Sequence, residues 1–576
     1  YTGFIQRNKL SFGHLRLSIL DLEERSNQPM VYDNYTLVFN GEIYNFSEIK
    51  KELVTLGYSF NTTGDTEVLL KGYKEWGQTV VSKLNGMFAF AIHDKINNVL
   101  FCSRDRLGVK PFYYYWKNGM FEICSQLKPI SENKTINKEA VSIYLDCTYI
   151  PSPYSIYNDV YKLPPGNNLI IDLNNKTHKV EEYWNLKPVK PSNLSYEEAV
   201  EKVHDLFEDA VRIRLKSDVP FGSFLSGGID SALVTSVASK ISKDKIKTFS
   251  IGFEDPKFDE SKIAATYADI LRTKHKETIC KAQDILEMLP NLLEVYDEPF
   301  ADSSALPSLL LNKITKQDVT VVLSGDGGDE SFLGYNHFDW VKKFNYLIYI
   351  PYFVRNLISM LIPKFIFKNR TEQLKRIFKV KNNDFIEGIF IGFNSITLNR
   401  TINWLSNYKN YKHLSHNDYQ KTADLNIKLW LENDSNVKVD RASMAFSVEV
   451  RSPFLDYRII EFARTLPISY RYYKGKKKRI LRDVLKKYIP EEVFDQPKSG
   501  FSVPLDEWIR EDLRKEVLDV LSDENLKMVH NLNIPKFKKM LNDHMDNGVN
   551  YSSYIWRVYV FIKWMKKNNV VEKNIQ

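Results

Sequence analysis

The sequence predicts two domains of different fold class, an α+β domain at residues 1–187 and an α/β domain at residues 195–576. The first region holds short apolar runs separated by turn signals such as Asn40-Gly41, which is typical of stacked antiparallel sheets with helices outside them. In the second region strands alternate with helices, which favours a parallel sheet. The segment between them, residues 187–194, has two prolines and little periodicity and therefore predicts a domain boundary.

Each element follows from a local pattern. In the first region a strand pair is expected near residues 3–12, further strands at 36–39, 87–92, 99–102 and 113–115, and a helix at 46–56 that stops at Gly57. In the second region helices are expected at 196–216 and 232–241, and strands at 219–225, 246–253 and 319–323. From residue 335 onward the pattern is mostly helical.

Composition excludes several classes of protein. The chain has 576 residues, 43% of them hydrophobic and 26% charged, which is the balance of a globular protein with more than one core. Its net charge of 80 − 72 = +8 is too diffuse to indicate a nucleic-acid partner. The four cysteines form no CxxC pair, which argues against a zinc site, a redox dithiol or a disulfide framework and favours the reducing cytoplasm.

The most apolar stretch, residues 346–362, is interrupted by Pro351 and Arg355. A membrane-spanning helix needs about 20 mostly apolar residues. We therefore expect a buried or interfacial helical hairpin here, and no membrane partner.

The strongest chemical signal is the motif SGGIDS at residues 226–231, where a predicted strand ends and a helix begins. Backbone N–H groups in such a turn converge on an anion, and the glycines let phosphate approach closely. Asp230 would repel a bare phosphate, so its presence indicates Mg²⁺ between carboxylate and phosphates. An ordinary strand-to-helix turn is the competing interpretation. The motif is neither a G-x-S-x-G nucleophile elbow nor a GxxxxGK[ST] phosphate loop.

A second signal, SGDGGDE at residues 324–330, also follows a predicted parallel strand. Open α/β sheets bind ligands at that edge. Asp329 could share a metal ion with Asp230, and Asp326 could hold or orient a substrate. An acidic surface turn is the alternative.

Together these two motifs resemble the glutamine-hydrolysing asparagine synthetases, and SGGIDS is similar to the pyrophosphatase-type ATP loop of enzymes that adenylate a substrate. The resemblance covers nearly the whole chain. Further matching motifs stand in family order at residues 249–253, 297–304, 437–444, 449–456, 478–482 and 500–504.

The N-terminal region resembles the family's glutaminase domain, a class II glutamine amidotransferase of the N-terminal-nucleophile hydrolase type. The matching segments are residues 14–21, 39–45, 64–67 and 104–111. The resemblance implies that Arg16 pairs with the α-carboxylate of glutamine and that Asp65, helped by Glu42, holds its α-ammonium. It also implies an oxyanion hole formed by the Asn40 side chain and the Gly41 N–H.

In this family the nucleophile is an N-terminal cysteine, and no cysteine stands near Tyr1. We therefore expect an N-terminally truncated sequence that lacks several tens of residues. Cys102 and Cys124 lie in strand patterns and are expected to be inert core residues.

The resemblance implies ATP-dependent asparagine synthesis: the β-carboxylate of aspartate attacks Mg-ATP to give β-aspartyl-AMP and pyrophosphate, and ammonia then displaces AMP. Lys478 would stabilise charge on the phosphates, and Leu225 and Ile251 would contact adenine and ribose. The remaining ATP contacts are expected from Ser226, Gly227, Gly228, Asp230, Ser231, Ser324 and Gly325. Ammonia would travel through a tunnel between the domains. Whether the protein forms a homodimer stays an open question at this point.

Three alternatives stay open. The chain could be a related amidotransferase that acts on another carboxylate, such as a sugar acid in surface-polysaccharide synthesis or a β-lactam precursor, because Asp326 stands where many asparagine synthetases carry Glu. It could be a non-enzymatic nucleotide-binding scaffold, which Asp230, Asp329 and Lys478 argue against. It could also be a nucleic-acid-binding protein, since residues 471–482 carry seven basic side chains and no acidic one.

Overall fold

The structure is a computed structural model of the 576-residue chain. It describes residues 1–7, 10–130, 134–347, 349–362, 375, 377–379, 389, 395–399, 417–496 and 503–570. Three residues of the expected 500–504 motif therefore lie outside the described residues.

The N-terminal region contains three antiparallel sheets, as predicted. A six-stranded sheet has the order β11-β10-β6-β5-β4-β3, and a three-stranded sheet has the order β8-β7-β9. The strands are β1 Thr2–Arg7, β2 Leu10–Leu15, β3 Met30–Tyr32, β4 Tyr35–Ile43, β5 Gly86–Asp94, β6 Val99–Arg104, β7 Tyr113–Lys117, β8 Met120–Cys124, β9 Val160–Lys162, β10 Asn167–Asp172 and β11 Thr177–Glu182. The first two pair only with each other.

The six-stranded sheet packs on both faces. One face, with Leu37 and Phe90, packs against the helices Phe46–Thr55 and Thr66–Trp76. The other face, with Ala91, meets the three-stranded sheet in a separate apolar cluster. Two further helices, Val80–Lys83 and Lys138–Cys147, and the 3₁₀ turns Glu24–Ser26 and Gly77–Thr79 complete this region. It therefore has the α+β class that the sequence predicts.

The C-terminal region is built on a five-stranded sheet in which every neighbouring pair is parallel. Its order is β14-β13-β12-β15-β16. The strands are β12 Phe221–Phe224, β13 Lys247–Phe253, β14 Lys274–Cys280, β15 Val321–Leu323 and β16 Glu449–Arg451. A short antiparallel hairpin, β17 Tyr472–Tyr473 and β18 Lys476–Lys477, lies apart from this sheet.

The rest of this region is helical, as predicted from residue 335 onward. The helices are Tyr196–Arg214, Ile229–Ile241, Ser261–Ile270, Ala282–Val295, Ala305–Thr315, Gly328–Ser331, His337–Leu347, Tyr352–Leu361, Asp418–Leu425, Asn436–Met444, Tyr457–Thr465, Ile468–Arg471, Arg479–Leu485, Glu491–Phe494, Leu505–Arg510, Arg514–Val520, Asp523–Lys527, Ile534–Asp546 and Ser552–Lys567. A π-helix spans Asn426–Ser435, and a 3₁₀ turn spans Pro453–Leu455.

The central strand β12 is the point at which the chain changes direction across the sheet. The chain moves from β12 to β13 on one side, and β15 later pairs with β12 on the other side. The register aligns Ser223 with Leu323, so the turns that follow these two strands meet at the carboxyl edge of the sheet. Ligands bind at such a topological switch point.

The expected hairpin at 346–362 is present as the end of helix His337–Leu347 and the helix Tyr352–Leu361, with Pro351 between them. It is only partly buried, because Arg355 faces the interior while Phe353 and Leu357 are exposed. Among the described residues no helix is long and apolar enough to cross a membrane.

Buried ion pairs connect the two regions. These pairs are Lys110 with Asp440 at 3.0 Å, Glu42 with Arg451 at 3.1 Å and Arg104 with Glu432 at 3.5 Å. Breaking a buried pair leaves an uncompensated charge, so each one fixes the relative placement of the regions.

Candidate active sites

The turn after β12 and the turn after β15 are in direct backbone contact. A Cβ atom placed on Gly325 would lie 2.8 Å from the Ser231 nitrogen, and one on Gly328 would lie 2.6 Å from the Asp230 carboxylate. Real side chains do not tolerate such distances. Gly325 and Gly328 therefore allow the two turns to pack closely, a role that the sequence did not reveal.

Serine hydroxyls occupy the first turn. The Ser226 and Gly228 backbone N–H groups donate to the Ser231 and Ser226 hydroxyls, at 3.1 and 3.2 Å. The two hydroxyls are 3.0 Å apart. Since the helix Ile229–Ile241 begins directly after the turn, its positive end adds to the attraction for an anion.

Lys478 brings the acidic groups of both turns together. Its ammonium contacts the Asp230 carboxylate, and it lies 2.5 Å from Oδ1 of Asp329. The Lys478 side chain is only 5% exposed. A Cβ on Gly334 would overlap both Lys478 Cε and the Asp329 carboxylate, so a side chain at residue 334 would displace this pair.

All of the predicted synthetase residues line one cavity of about 740 Å³. They are Leu225, Ser226, Gly227, Gly228, Asp230, Ser231, Ile251, Ser324, Gly325, Asp326, Asp329 and Lys478. A cavity of this size falls within the range of ligand sites. It holds enough space for a nucleotide together with a small second substrate.

The same cavity contains ionisable residues that sequence reasoning missed. Burial, with the nearby charge of Asp329, raises the pKa of Glu330 to about 7, and the Tyr335 hydroxyl donates to this carboxyl at 2.5 Å. Asp302 and Lys438 form an ion pair at 2.9 Å in the wall of the cavity. The motifs at 324–330, 297–304 and 437–444 contain Glu330, Asp302 and Lys438, but nothing in their spacing shows that these residues meet.

The residues fit a magnesium ion that arrives with a nucleotide. Mg²⁺ is commonly held by one or two carboxylates together with substrate phosphates. Asp230 and Asp329 supply two carboxylates within reach of one ammonium group. Within the described parts of the chain, no group of three or more His, Cys, Asp or Glu side chains is arranged to hold a metal ion.

The predicted glutamine-binding residues lie around the start of the six-stranded sheet. The Arg16 guanidinium donates to the carbonyls of Leu20 and Glu23 at 3.0 and 3.1 Å, and it also donates to the Asp21 carbonyl and the Asn27 side chain. The loop at 20–27 therefore fixes its orientation. Burial lowers the pKa of Arg16, opposed by the charges of Asp21 and Asp65.

Gly41 and Asp65 are held by their neighbours on the sheet. Gly41 has a φ of 146°, and a Cβ there would overlap the Met87 carbonyl of the adjacent strand, so only glycine fits. The Asp65 carboxylate accepts from the Ile43 N–H at 2.9 Å. Burial raises the pKa of Asp65 to about 6, although this hydrogen bond opposes the shift.

Glu42 contacts the other region of the chain. Its buried carboxyl group lies 3.1 Å from the Arg451 guanidinium of the other region. Burial raises the pKa of Glu42 well above the usual carboxyl value, opposed by the charge of Arg451. This contact does not test the predicted contribution of Glu42 to binding the glutamine ammonium, which stays a prediction.

The burial and the raised thiol pKa values of Cys102 and Cys124 are consistent with the expectation that both are unreactive. Cys102 is fully buried on β6, and burial raises its pKa strongly. Burial also raises the pKa of Cys124, to about 11. Both thiols are therefore protonated near neutral pH and are poor nucleophiles.

A small cavity of about 20 Å³ lies between the two regions. Its lining includes Tyr44, Met87 and Leu107 from the N-terminal region and Arg214 and Leu455 from the C-terminal region. Such a volume suits one small molecule of the size of water.

Two protein families match successive parts of this chain. The glutamine amidotransferase domain family matches residues 1–184, and the asparagine synthase family matches residues 202–566. The chain is 32% identical over 583 residues to the Bacillus subtilis strain 168 protein named asparagine synthetase (glutamine-hydrolyzing) 1, covering 98% of this chain and 91% of that one.

Two other relatives have sequence identities above and below this value. A Methanocaldococcus jannaschii protein named putative asparagine synthetase (glutamine-hydrolyzing) 2 is 41% identical over 376 residues, covering 61% of this chain and 72% of its own. A Penicillium rubens protein named amidase chyE is 26% identical over 581 residues, covering 91% of this chain and 85% of its own.

Proposed function

Because the chain belongs to the asparagine synthase family, we infer that it is an ATP-dependent carbon–nitrogen ligase that converts aspartate into asparagine with nitrogen from glutamine or ammonia. The observation that carries this inference is the cavity in which both phosphate-binding turns meet Lys478. The first turn and its helix present hydroxyls and a positive helix end to phosphates. Leu225 and Ile251 provide the apolar wall for the nucleoside.

In the first step a β-carboxylate oxygen of aspartate attacks the α-phosphorus of ATP, and the bond to pyrophosphate breaks. Lys478 would stabilise the negative charge that builds on the phosphates, because a fixed cation in a buried site stabilises such charge strongly. Asp230 and Asp329 would hold a magnesium ion that neutralises the pyrophosphate.

In the second step the nitrogen of ammonia attacks the activated carbonyl, and AMP leaves. Asp326 lines the cavity at the end of β15, and it is our proposed acceptor for the proton that nitrogen loses. We place the ammonia path at the small cavity between the two regions, where Met87 and Leu107 face Leu455.

In the glutaminase region Arg16 would bind the α-carboxylate of glutamine, and Asp65 its α-ammonium. Among the described residues, the loop at 20–27 takes four of the five N–H donors of the guanidinium, so the Nε–H is the donor left for a carboxylate. Asn40 and the Gly41 N–H would stabilise the oxyanion that forms at the amide carbon.

Glutamine binding is expected to weaken as the pH falls through about 6. The raised pKa of Asp65 means that its carboxyl group gains a charge only above that pH, so the partner of the ammonium is lost on acidification. Calorimetric titration of glutamine between pH 5 and pH 8 measures the effect. The Asp65→Asn variant should bind weakly at every pH and lack the slope, and a wild-type affinity that is flat across this range would contradict the assignment.

The proposed function is tested by supplying ATP, ammonium chloride and one carboxylate at a time. Aspartate should give AMP and pyrophosphate in equal amounts, together with asparagine. Release of ADP and orthophosphate would exclude attack at the α-phosphorus. A higher rate with a hexuronic acid than with aspartate would favour the sugar-acid amidotransferase instead.

A further inference from the structure

The helical hairpin at residues 337–361 contains a helix whose polarity is inverted. The buried side chains of the helix Tyr352–Leu361 are Arg355 and Ser359, which lie one turn apart on the same side. A helix at the surface of a globular protein normally buries its apolar stripe and exposes its polar face. Here the opposite side carries large apolar side chains that are 62 to 74% exposed: Phe353, Leu357, Met360 and Leu361.

Contacts within the hairpin hold this helix in its inverted orientation. The Nε–H of Arg355 donates to the Ile350 carbonyl at 3.1 Å. The Arg355 guanidinium also lies over the rings of Phe344 and Tyr352, at 5.8 and 5.7 Å from their centres. The buried Ser359 hydroxyl donates to a carbonyl of its own helix at 2.6 Å. A rotation that buried the apolar side chains would break the Arg355 contacts, so these side chains point outward.

Two tyrosines that precede this helix extend the exposed apolar surface. Both Tyr346 and Tyr349 are exposed. The hairpin face is the name we give to six residues, Tyr346, Tyr349, Phe353, Leu357, Met360 and Leu361. These six described residues lie outside the lining of the large cavity, so the surface is separate from the proposed active site. Exposed apolar patches of this kind mark contacts with another protein or with a membrane.

The chain around the hairpin face carries only positive charge. Residues 340–371 include six basic residues and no acidic one. Lys342 and Lys343 are exposed, and Lys342 lies one turn before Tyr346 on the same side of the helix His337–Leu347. Aromatic and aliphatic side chains beside lysines are typical of helices that lie in the interface of an anionic membrane. Tyrosine in particular is enriched at the level of the lipid headgroups.

The same charge argues against a second copy of the chain as the occupant. In a two-fold symmetric dimer one surface patch meets the same patch of the partner. The lysines of the two copies would then face each other, and like charges across an interface are unfavourable. Anionic lipid headgroups supply the opposite charge, and the acyl chains beneath them supply an apolar environment for the exposed side chains.

We propose that the hairpin face binds the surface of a lipid bilayer that contains anionic lipids. The helix Tyr352–Leu361 lies along the bilayer with its apolar side chains inserted, and Lys342 and Lys343 contact the headgroups. The sequence-based expectation of no membrane partner was argued against a spanning helix, and this contact does not require one. The inference is independent of the proposed function, because it uses none of the active-site residues.

The test is sedimentation of the full chain with lipid vesicles. One set contains phosphatidylcholine alone, and the other contains equal parts of phosphatidylcholine and phosphatidylglycerol. The wild type should bind the anionic vesicles at least about tenfold more tightly, because each exposed lysine near an anionic surface adds to the attraction. This binding should weaken as sodium chloride is added, since salt screens exposed charges.

Two double variants separate the apolar contribution from the charged one. Phe353→Ser with Leu357→Ser should weaken binding to the anionic vesicles by about 100-fold, since burial of each large apolar side chain adds about tenfold or more. Lys342→Gln with Lys343→Gln should weaken it by about 30-fold and reduce the salt dependence. All four side chains are exposed, so both variants should keep the thermal unfolding midpoint of the wild type.

The matched control is Val54→Ser with Leu56→Ser, which removes two exposed apolar side chains from the N-terminal region. It should bind the vesicles as the wild type does. The proposal is wrong if the wild type binds neither kind of vesicle, if it binds both kinds equally, or if the folded Phe353→Ser with Leu357→Ser variant binds normally. A wild-type dimer in light scattering that this variant converts to a monomer would instead make the hairpin face an interface between copies.

Discussion

The Lys478→Met variant is expected to release pyrophosphate from ATP and aspartate about 10³-fold more slowly than the wild type. Removing one fixed charge-stabilising donor from a buried site typically costs about 10²- to 10³-fold in rate. Lys478 contacts the acidic groups of the turns that follow β12 and β15, so its loss also leaves Asp230 and Asp329 facing each other without a cation. Aspartate-dependent pyrophosphate release under saturating ATP measures the effect.

Lys478→Arg should recover little of this rate, although it keeps the positive charge. Gly334 lies close to Lys478 Cε, and a planar guanidinium cannot reproduce the compact contact that the ammonium makes with both Asp230 and Asp329. Lys486→Met is the matched control, because Lys486 also bridges two carboxylates, Asp483 at 2.9 Å and Glu491 at 2.8 Å, but lies on the surface. A near-wild-type rate for Lys478→Met, with the control unchanged, would remove Lys478 from the adenylation step.

The second large effect concerns the two carboxylates that Lys478 joins. Asp230→Asn and Asp329→Asn should each lower the rate of adenylation by about 10³-fold, and the double variant should be little worse than either single one. Residues that act as one unit are strongly non-additive. Both side chains keep their volume in these variants, so the loss reports charge rather than packing.

The control for these variants is Asp339→Asn. Asp339 also pairs with a lysine of the same region, Lys477 at 3.0 Å, but it does not line the cavity. It should retain the wild-type rate. If the rate losses of the two single variants multiply in the double variant, Asp230 and Asp329 act independently and do not share a metal ion.

Much of the site could be predicted because its signals are local. A strand, a small-residue turn and a helix start follow one another within residues 219–241, and the second turn repeats the strand and turn near residue 324. The observed strands β12 and β15 end at Phe224 and Leu323, within one residue of the predicted ends. Local propensity and turn chemistry act over a few residues, so they can be recognised along the chain.

The sequence alone determined the two fold classes, the position of the turns that follow β12 and β15 and the residue types in them. Only the tertiary structure decided which distant groups meet. It turned Glu42 toward Arg451, set Lys478 between two aspartates and paired Lys438 with Asp302. A buried charge is stable only beside a partner, and the identity of that partner depends on how strands and helices far apart in the chain pack together. The spacing of residues along the sequence therefore does not predict which charged residues pair.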